Sequence, residues 1–233
     1  MNIIITGASR GLGKAMAEIF AKNGYDLILT SLNEGRLAIA VKELIKTYPA
    51  VKTKAKSFDL SKKEQAQAFG QWCLENGSPD ILINNAGSFC GANVYDEEDG
   101  ALEEMIETNL YSAYHLTRVI VPAMIENKRG HIFNMSSIAA LNAYPGGGSY
   151  SISKFAIHGF SVNLREELKA HNIKVTSVFP GATYTDSWAS SGIEEKRFME
   201  AEDIAKMVYA ASQLSPQACV EDIVLRPQLG DIK

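Results

Sequence analysis

Tyr150 and Lys154 are the pair in this sequence best suited to moving a proton. They stand four residues apart at the start of a helical pattern near 150–171, so both side chains fall on one face. A tyrosine is a poor acid or base at neutral pH, because its reference pKa is about 10. Bringing it to about 7 needs roughly 4 kcal/mol of preferential stabilisation of the phenolate, at about 1.36 kcal/mol per unit. A neighbouring ammonium in a partly dry site supplies much of that. Upstream, Ser137 follows the apolar strand pattern near 130–136, and its hydroxyl can hold a substrate oxygen toward Tyr150. Ser136 is the competing hydroxyl, one residue earlier. Asn109 lies among Leu102, Met105, Ile106, Leu110 and Ala113 in a long helical pattern, where a buried amide costs stability unless it is bonded. A tyrosine and lysine at this spacing are common on helix surfaces, so the elements around them must decide.

Those elements begin at Thr6-Gly7-Ala8-Ser9-Arg10-Gly11-Leu12-Gly13. The stretch follows the apolar run Asn2-Ile3-Ile4-Ile5 and opens a helical pattern near 12–23. A glycine turn between strand and helix aims backbone N–H groups and the positive end of a helix dipole at one point, which suits a pyrophosphate. The three glycines serve a tight turn, close approach of backbone to phosphate, and close packing of helix on sheet. Further strand patterns lie near 26–31, 51–58, 80–85, 130–136, 173–179 and 221–225, and helical patterns near 34–47, 61–76, 99–127, 150–171 and 201–213. This alternation predicts an α/β fold, a doubly wound parallel sheet with helices on both faces. In such sheets ligands bind outside the carboxyl ends of the strands. There the sequence places Gly7, Ser31 and Asn33, Asp59, Asn84-Asn85-Ala86-Gly87, Ser136-Ser137 and Pro180-Gly181.

Composition narrows the partners. The 233 residues are 46% hydrophobic and 21% charged, enough for one large globular domain over 1–233. A net charge of −4 without a basic block argues against nucleic acid and anionic membranes. No apolar run reaches the length of a membrane span, and no basic-then-apolar leader precedes the first strand. Cys73, Cys90 and Cys219 read as free thiols of a cytoplasmic protein, with Cys90 expected as a small buried hydrophobe. The four histidines show no metal-ligand spacing.

Taken together, Thr6-Gly7-x3-Gly11-x-Gly13, Asp59-Leu60, Asn84-Asn85-Ala86-Gly87, Asn109, Ser137, Tyr150-x3-Lys154 and Pro180-Gly181-x3-Thr185 resemble the short-chain dehydrogenase/reductase family, from Asn2 to about Asp186. The resemblance implies a Rossmann-type sheet of seven parallel strands and hydride transfer with NAD(H) or NADP(H). It also implies roles. Tyr150 is the acid/base, assisted by Lys154 and Ser137, and Asn109 helps hold a water linking the lysine to solvent. Gly7, Ser9, Arg10, Gly11, Leu12 and Gly13 cradle the cofactor. Asn85, Ala86 and Gly87 pack beside its adenosine ribose, and Asp59 with Leu60 meets the adenine. Pro180, Gly181, Thr183 and Thr185 border the nicotinamide, Thr183 standing where a branched aliphatic is usual. Read alone, Asp59 could equally cap the helix beginning near Ser61.

NADP(H) is expected over NAD(H), because Ser31 and Asn33 stand where an NAD-binding chain carries Asp or Glu for the ribose 2′-OH. Arg10 is available to pair with a 2′-phosphate, while Leu32 replaces the usual second basic residue, and use of NAD(H) stays open. The loops at 88–96, 139–148 and 182–200 should close the pocket, the last as a substrate loop, with Phe89, Leu141, Tyr144 and Trp188 as wall residues. Few charges lie there, so a neutral carbonyl or alcohol is the expected substrate. The helix after Tyr150 is apolar on more than one side, which predicts a homodimer or homotetramer. The alternative is a non-catalytic NADP(H)-binding redox sensor, which would need the glycine turn but not Tyr150, Lys154, Ser137 and Asn109 together.

Overall fold

The alternating pattern folds into one sheet of seven parallel strands in the order β3-β2-β1-β4-β5-β6-β7. The strands of this computed structural model are β1 (Asn2–Thr6), β2 (Asp26–Thr30), β3 (Thr53–Ala55), β4 (Ile81–Asn84), β5 (Gly130–Met135), β6 (Ile173–Pro180) and β7 (Asp222–Leu225). The helices are α1 (Gly11–Lys22), α2 (Glu34–Thr47), α3 (Lys63–Asn76), α4 (Ala101–Ile106), α5 (Ser112–Glu126), α6 (Gly148–Leu168) and α7 (Ala201–Ser212). The structure describes residues 1–185, 188 and 192–232. Asp186, where the resemblance was expected to end, and Ser187 and 189–191 of the expected substrate loop lie outside the described residues.

The five inner strands are buried because helices cover both faces of the sheet, as parallel strands require, while the edge strands β3 and β7 are partly exposed. Alternate residues feed two core layers. Ile3, Ile5, Leu27, Leu29, Ile81 and Ile83 pack with Met16 and Phe20 of α1 and Ile204 and Val208 of α7. Ile4, Ile28, Leu82 and Ile132 pack on the other face with Phe69 of α3, Leu116 and Ile120 of α5, and Leu164 of α6. Each such side chain contributes about 1.5–3 kcal/mol on burial.

Two expected elements differ. The helical pattern at 99–127 is broken by a π turn, Glu107–Tyr111, between α4 and α5. Periodicity could not show this, because one extra residue per turn barely shifts an apolar stripe. The strand at 51–58 shrinks to Thr53–Ala55 at the sheet edge. Cys90 is exposed rather than buried, while Cys73 is buried in the core, and all three thiols are free. No described helix is long and apolar enough to cross a membrane.

The chain runs outward from β1 to β3, then returns to add β4 on the other side of β1. That reversal opens a crevice at the carboxyl ends of β1 and β4, where such sheets hold their ligands.

Candidate active site

The crevice is built by interlocking the glycine turn with the end of β4. The Thr6 Oγ1 accepts from the backbone N–H of Asn85 (2.9 Å) and of Ala86 (2.8 Å). The Asn85 amide donates back to the Thr6 carbonyl (2.9 Å) and the Gly7 carbonyl (3.3 Å). Gly7 and Gly11 have φ of 63° and 51°, a region that L side chains rarely adopt. At Gly13 a Cβ would overlap the Gly7 carbonyl and sit 2.6 Å from Asn85 Nδ2. Arg10, exposed and extended (φ −162°, ψ 176°), leads directly into α1. The first N–H groups of α1, lacking intrahelical partners by geometry, open onto this turn. A bare cradle with no Cβ in the way and a helix N-terminus behind it fits a dinucleotide pyrophosphate.

The proton-transfer groups gather beside this cradle. Ser137, just past β5, has its hydroxyl beside that of Tyr150, and its Oγ accepts from Ala139 N (3.1 Å). Lys154 Nζ lies 5.6 Å from the centroid of the Tyr150 ring and donates to the Met135 carbonyl (3.0 Å). Gly87 joins the two halves, since a Cβ there would sit 3.6 Å from Lys154 Nζ and 2.9 Å from Asn109 Oδ1. Ser136 donates to the Lys154 carbonyl (3.1 Å), which holds the helix rather than the pocket. Asn109, fully buried in the π turn, accepts from Ser88 N (2.8 Å) and donates to the Ser88 carbonyl (3.1 Å) and Ser153 Oγ (2.9 Å). Ser153 in turn donates to the Tyr150 carbonyl (2.7 Å). Asn109 thus ties the loop after β4 to the first turns of α6.

Burial governs the charges. It pushes the Tyr150 phenol up to about 12, against the Ser137 hydrogen bond, which favours the phenolate, and with a smaller push from Tyr144. Burial also brings Lys154 down to about 8. In the protein by itself the phenol therefore stands above its ordinary range, because loss of water dominates. A phenol that keeps its proton suits donation to a carbonyl oxygen.

The remaining expected residues are distributed unevenly. Ser9 and Ser31 share a hydrogen bond (2.8 Å) that joins the glycine turn to the end of β2. Asn33 uses its side-chain oxygen to cap α2 through Arg36 N (2.8 Å). Asp59 accepts from Ser61 N (3.1 Å) and Ser61 Oγ (2.7 Å), so that oxygen serves the turn before α3. The Leu60 side chain is buried in the core, and Leu12 packs against the opposite layer. Pro180 ends β6, and Gly181 N donates to the Leu225 carbonyl (2.8 Å). The buried Thr183 hydroxyl donates to the Gly181 carbonyl (3.0 Å). Thr185 packs on the glycine turn, its Cγ2 3.2 Å from where a Gly11 Cβ would lie.

Among the expected pocket walls, Phe89 meets Tyr150 edge to face with ring centroids 4.9 Å apart. Tyr144 and Leu141 are exposed on the loop before α6, and Tyr144 is near enough to Tyr150 to act on its charge. Trp188 packs its ring on Phe198, 5.1 Å between centroids. Sequence reasoning missed the clamp at Thr6, the Ser153 link and a buried chain from Thr117 and Asn84 through Asn134 to Ser161. Polar side chains inside otherwise apolar strands and helices were the available signal for that chain.

Residues 1–196 match the short chain dehydrogenase family. The chain belongs to that family. As a short-chain dehydrogenase it is an oxidoreductase of a family that binds nicotinamide cofactors and acts on small molecules. It is 29% identical to an uncharacterized oxidoreductase of Staphylococcus saprophyticus, over 96% of each chain. Its fold is similar to that of a metagenomic short-chain oxidoreductase solved in complex with NADP, with a TM-score of 0.85 and 30% identity, covering 98% of this chain and 97% of that one. It is also similar to an alcohol dehydrogenase from the archaeon Thermococcus sibiricus complexed with 5-hydroxy-NADP, with a TM-score of 0.90 and 25% identity, covering 100% and 98%.

Proposed function

We propose that this short-chain dehydrogenase is an NADP(H)-dependent reductase of neutral carbonyl compounds, and by reversal an alcohol dehydrogenase. The observation that carries this reading is Tyr150 with Lys154 Nζ 5.6 Å from its ring, the lysine in turn bordering Gly87 at the edge of the glycine cradle. When bound, the nicotinamide supplies or accepts the hydride. Tyr150 gives its proton to the carbonyl oxygen during reduction and takes one from the alcohol during oxidation. Ser137 hydrogen-bonds the same oxygen and fixes its direction. Lys154, held by the Met135 carbonyl, stabilises the phenolate left after proton transfer. Asn109 holds the Ser88 backbone and, through Ser153, the turn carrying Tyr150.

Gly7, Ser9, Arg10, Gly11, Leu12 and Gly13 would hold the pyrophosphate side of the cofactor, with Asn85, Ala86 and Gly87 beside them. The choice of NADP(H) is supported by Ser31 at the end of β2, where no carboxylate stands to repel a 2′-phosphate, and by the exposed Arg10. Asp26 begins β2 at the other edge, where its carboxylate accepts from Lys52 N (2.9 Å). The NADP complexes among the similar structures support the same choice. A neutral substrate is supported by the Phe89 ring that packs on Tyr150.

Assembly follows from α5 and α6. Ile152, Phe155 and Val162 form one exposed stripe on α6, and Tyr111 and Tyr114 are exposed at the start of α5 and the turn before it. This supports a dimer or tetramer, which light scattering would read directly. The reaction is tested by following NADPH and NADH absorbance against ketones, aldehydes and diketones, with Tyr150→Phe as control. Consumption of NADPH that vanishes in the variant is expected. Tight NADPH binding without turnover of any compound would favour the sensor alternative.

A further inference from the structure

The two expected pocket walls, 88–96 and 139–148, are joined by a set of hydrogen bonds that the reaction chemistry leaves unused. The Glu97 carboxylate accepts from Ser149 Oγ (2.5 Å) with one oxygen and from Ser149 N (3.1 Å) with the other. Nearby, Asn93 Oδ1 accepts from Gly146 N (2.9 Å), and Asn93 is itself fixed by Asp96. The contact is close enough to exclude a side chain. A Cβ on Gly148 would lie 2.5 Å from the Ala92 carbonyl and 2.7 Å from Glu97 Oε2.

The position of Glu97 matters because of what it caps. The residue before α6 is Gly147, which has no side chain to satisfy the first N–H groups of that helix. Glu97, more than fifty residues away in sequence, fills that role with a full negative charge at the positive end of the helix. Ser149 is 1% exposed and is followed at once by Tyr150. The same 86–98 loop carries Phe89, whose ring packs on the ring of Tyr150. Tyr150 is therefore gripped from one side through Asn109 and Ser153, and from the other through Glu97 and Ser149.

We infer that Glu97 is a positioning residue: its carboxylate pins the first turn of α6 and welds the Phe89 loop to it, fixing Tyr150 and the substrate wall as one rigid unit. This inference rests on the reading of Tyr150 given above. Small errors in the placement of a proton donor are expensive in rate, on the order of 100-fold for about 1 Å.

The test compares Glu97→Ala, Glu97→Gln and Ser149→Ala with the wild type in three measurements: turnover of the best carbonyl compound, NADPH affinity by fluorescence, and backbone amide exchange. Glu97→Ala should lower kcat/KM about 10- to 100-fold, chiefly through kcat, while NADPH affinity stays within about twofold. Amide exchange should quicken at 146–152 and stay unchanged in β1, β4 and β5. Glu97→Gln, which keeps one acceptor oxygen, should recover most of the activity. The double variant Glu97→Ala/Ser149→Ala should be no worse than either single one, as for partners in one contact. Unchanged kcat/KM and exchange in Glu97→Ala would overturn the inference, and so would losses that extend to NADPH binding and the central strands. Absence of any wild-type turnover would instead sink the reductase reading, and the exchange measurement on the free protein would still decide whether Glu97 holds that turn.

Discussion

Lys154 Nζ sits 5.6 Å from the centre of the Tyr150 ring while donating to the Met135 carbonyl, so the ammonium is held beside the phenol rather than free to swing. Burial brings Lys154 to about 8 and takes Tyr150 to about 12, and these two values set a pH window. Below about 8 the lysine is charged and the tyrosine still carries its proton, which is the pair that reduction requires. Above it the ammonium is lost first. The kcat/KM for carbonyl reduction should therefore fall as pH rises through about 8, by about tenfold per unit in the limit. A profile between about pH 6 and pH 10 checks this, and a flat profile across that range would show that Lys154 charge is not needed.

Gly13→Ala puts a methyl group into the Gly7 backbone carbonyl and against the Asn85 side-chain amide, which is itself held by the Thr6 carbonyl. Overpacking of this kind costs about 1–3 kcal/mol. The variant should lose NADPH affinity far more than it loses folding, because the turn must open to make room. Fluorescence titration alongside thermal melting separates the two, and wild-type affinity would refute the cradle.

Ser31→Asp replaces the hydroxyl that bonds Ser9 with a carboxylate just past β2. It should shift preference toward NADH, with the NADPH-to-NADH ratio of kcat/KM falling about tenfold or more through like-charge repulsion. An unchanged ratio would remove Ser31 from the account of cofactor choice.

His131, at the opposite edge of the sheet, predicts acid sensitivity. It is buried against Phe133, and Nε2 bonds Thr176 Oγ1 (2.8 Å). Thr176 donates to the Val220 carbonyl, so the imidazole is the donor toward Thr176. Burial takes its pKa from 6.5 down to about 3. Between those values the unfolded chain binds a proton that the folded one does not. Stability should therefore fall as pH falls from 6.5, by up to about 1.4 kcal/mol per unit. Urea unfolding of wild type and His131→Gln at neutral and mildly acid pH should show the smaller drop in the variant. Equal drops would assign the sensitivity elsewhere.

Much of this arrangement was legible because it rests on local chemistry. The glycine turn, the alternating strands and helices, and the Tyr150–Lys154 spacing each follow from short-range rules. Asn109 was legible as an amide in need of partners, but not which ones, since Ser88 and Ser153 come from elements far off in sequence. Glu97 was hidden for a different reason. It stands in the acidic run Asp96-Glu97-Glu98-Asp99, where a charge normally faces water, and only the fold brings it to the start of α6. The burial that holds the Tyr150 phenol up was hidden for a third reason, since the ammonium is visible in sequence and the desolvation is not.

The central claim is tested most directly by tracing the transferred hydrogen. The carbonyl compound turned over best is reduced with NADPH deuterated at the transferable ring position, and the alcohol is analysed by mass spectrometry. The account predicts one deuterium on the carbinol carbon with the wild type and loss of product with Tyr150→Phe. Product without deuterium, or a Tyr150→Phe variant working at the wild-type rate, would contradict it.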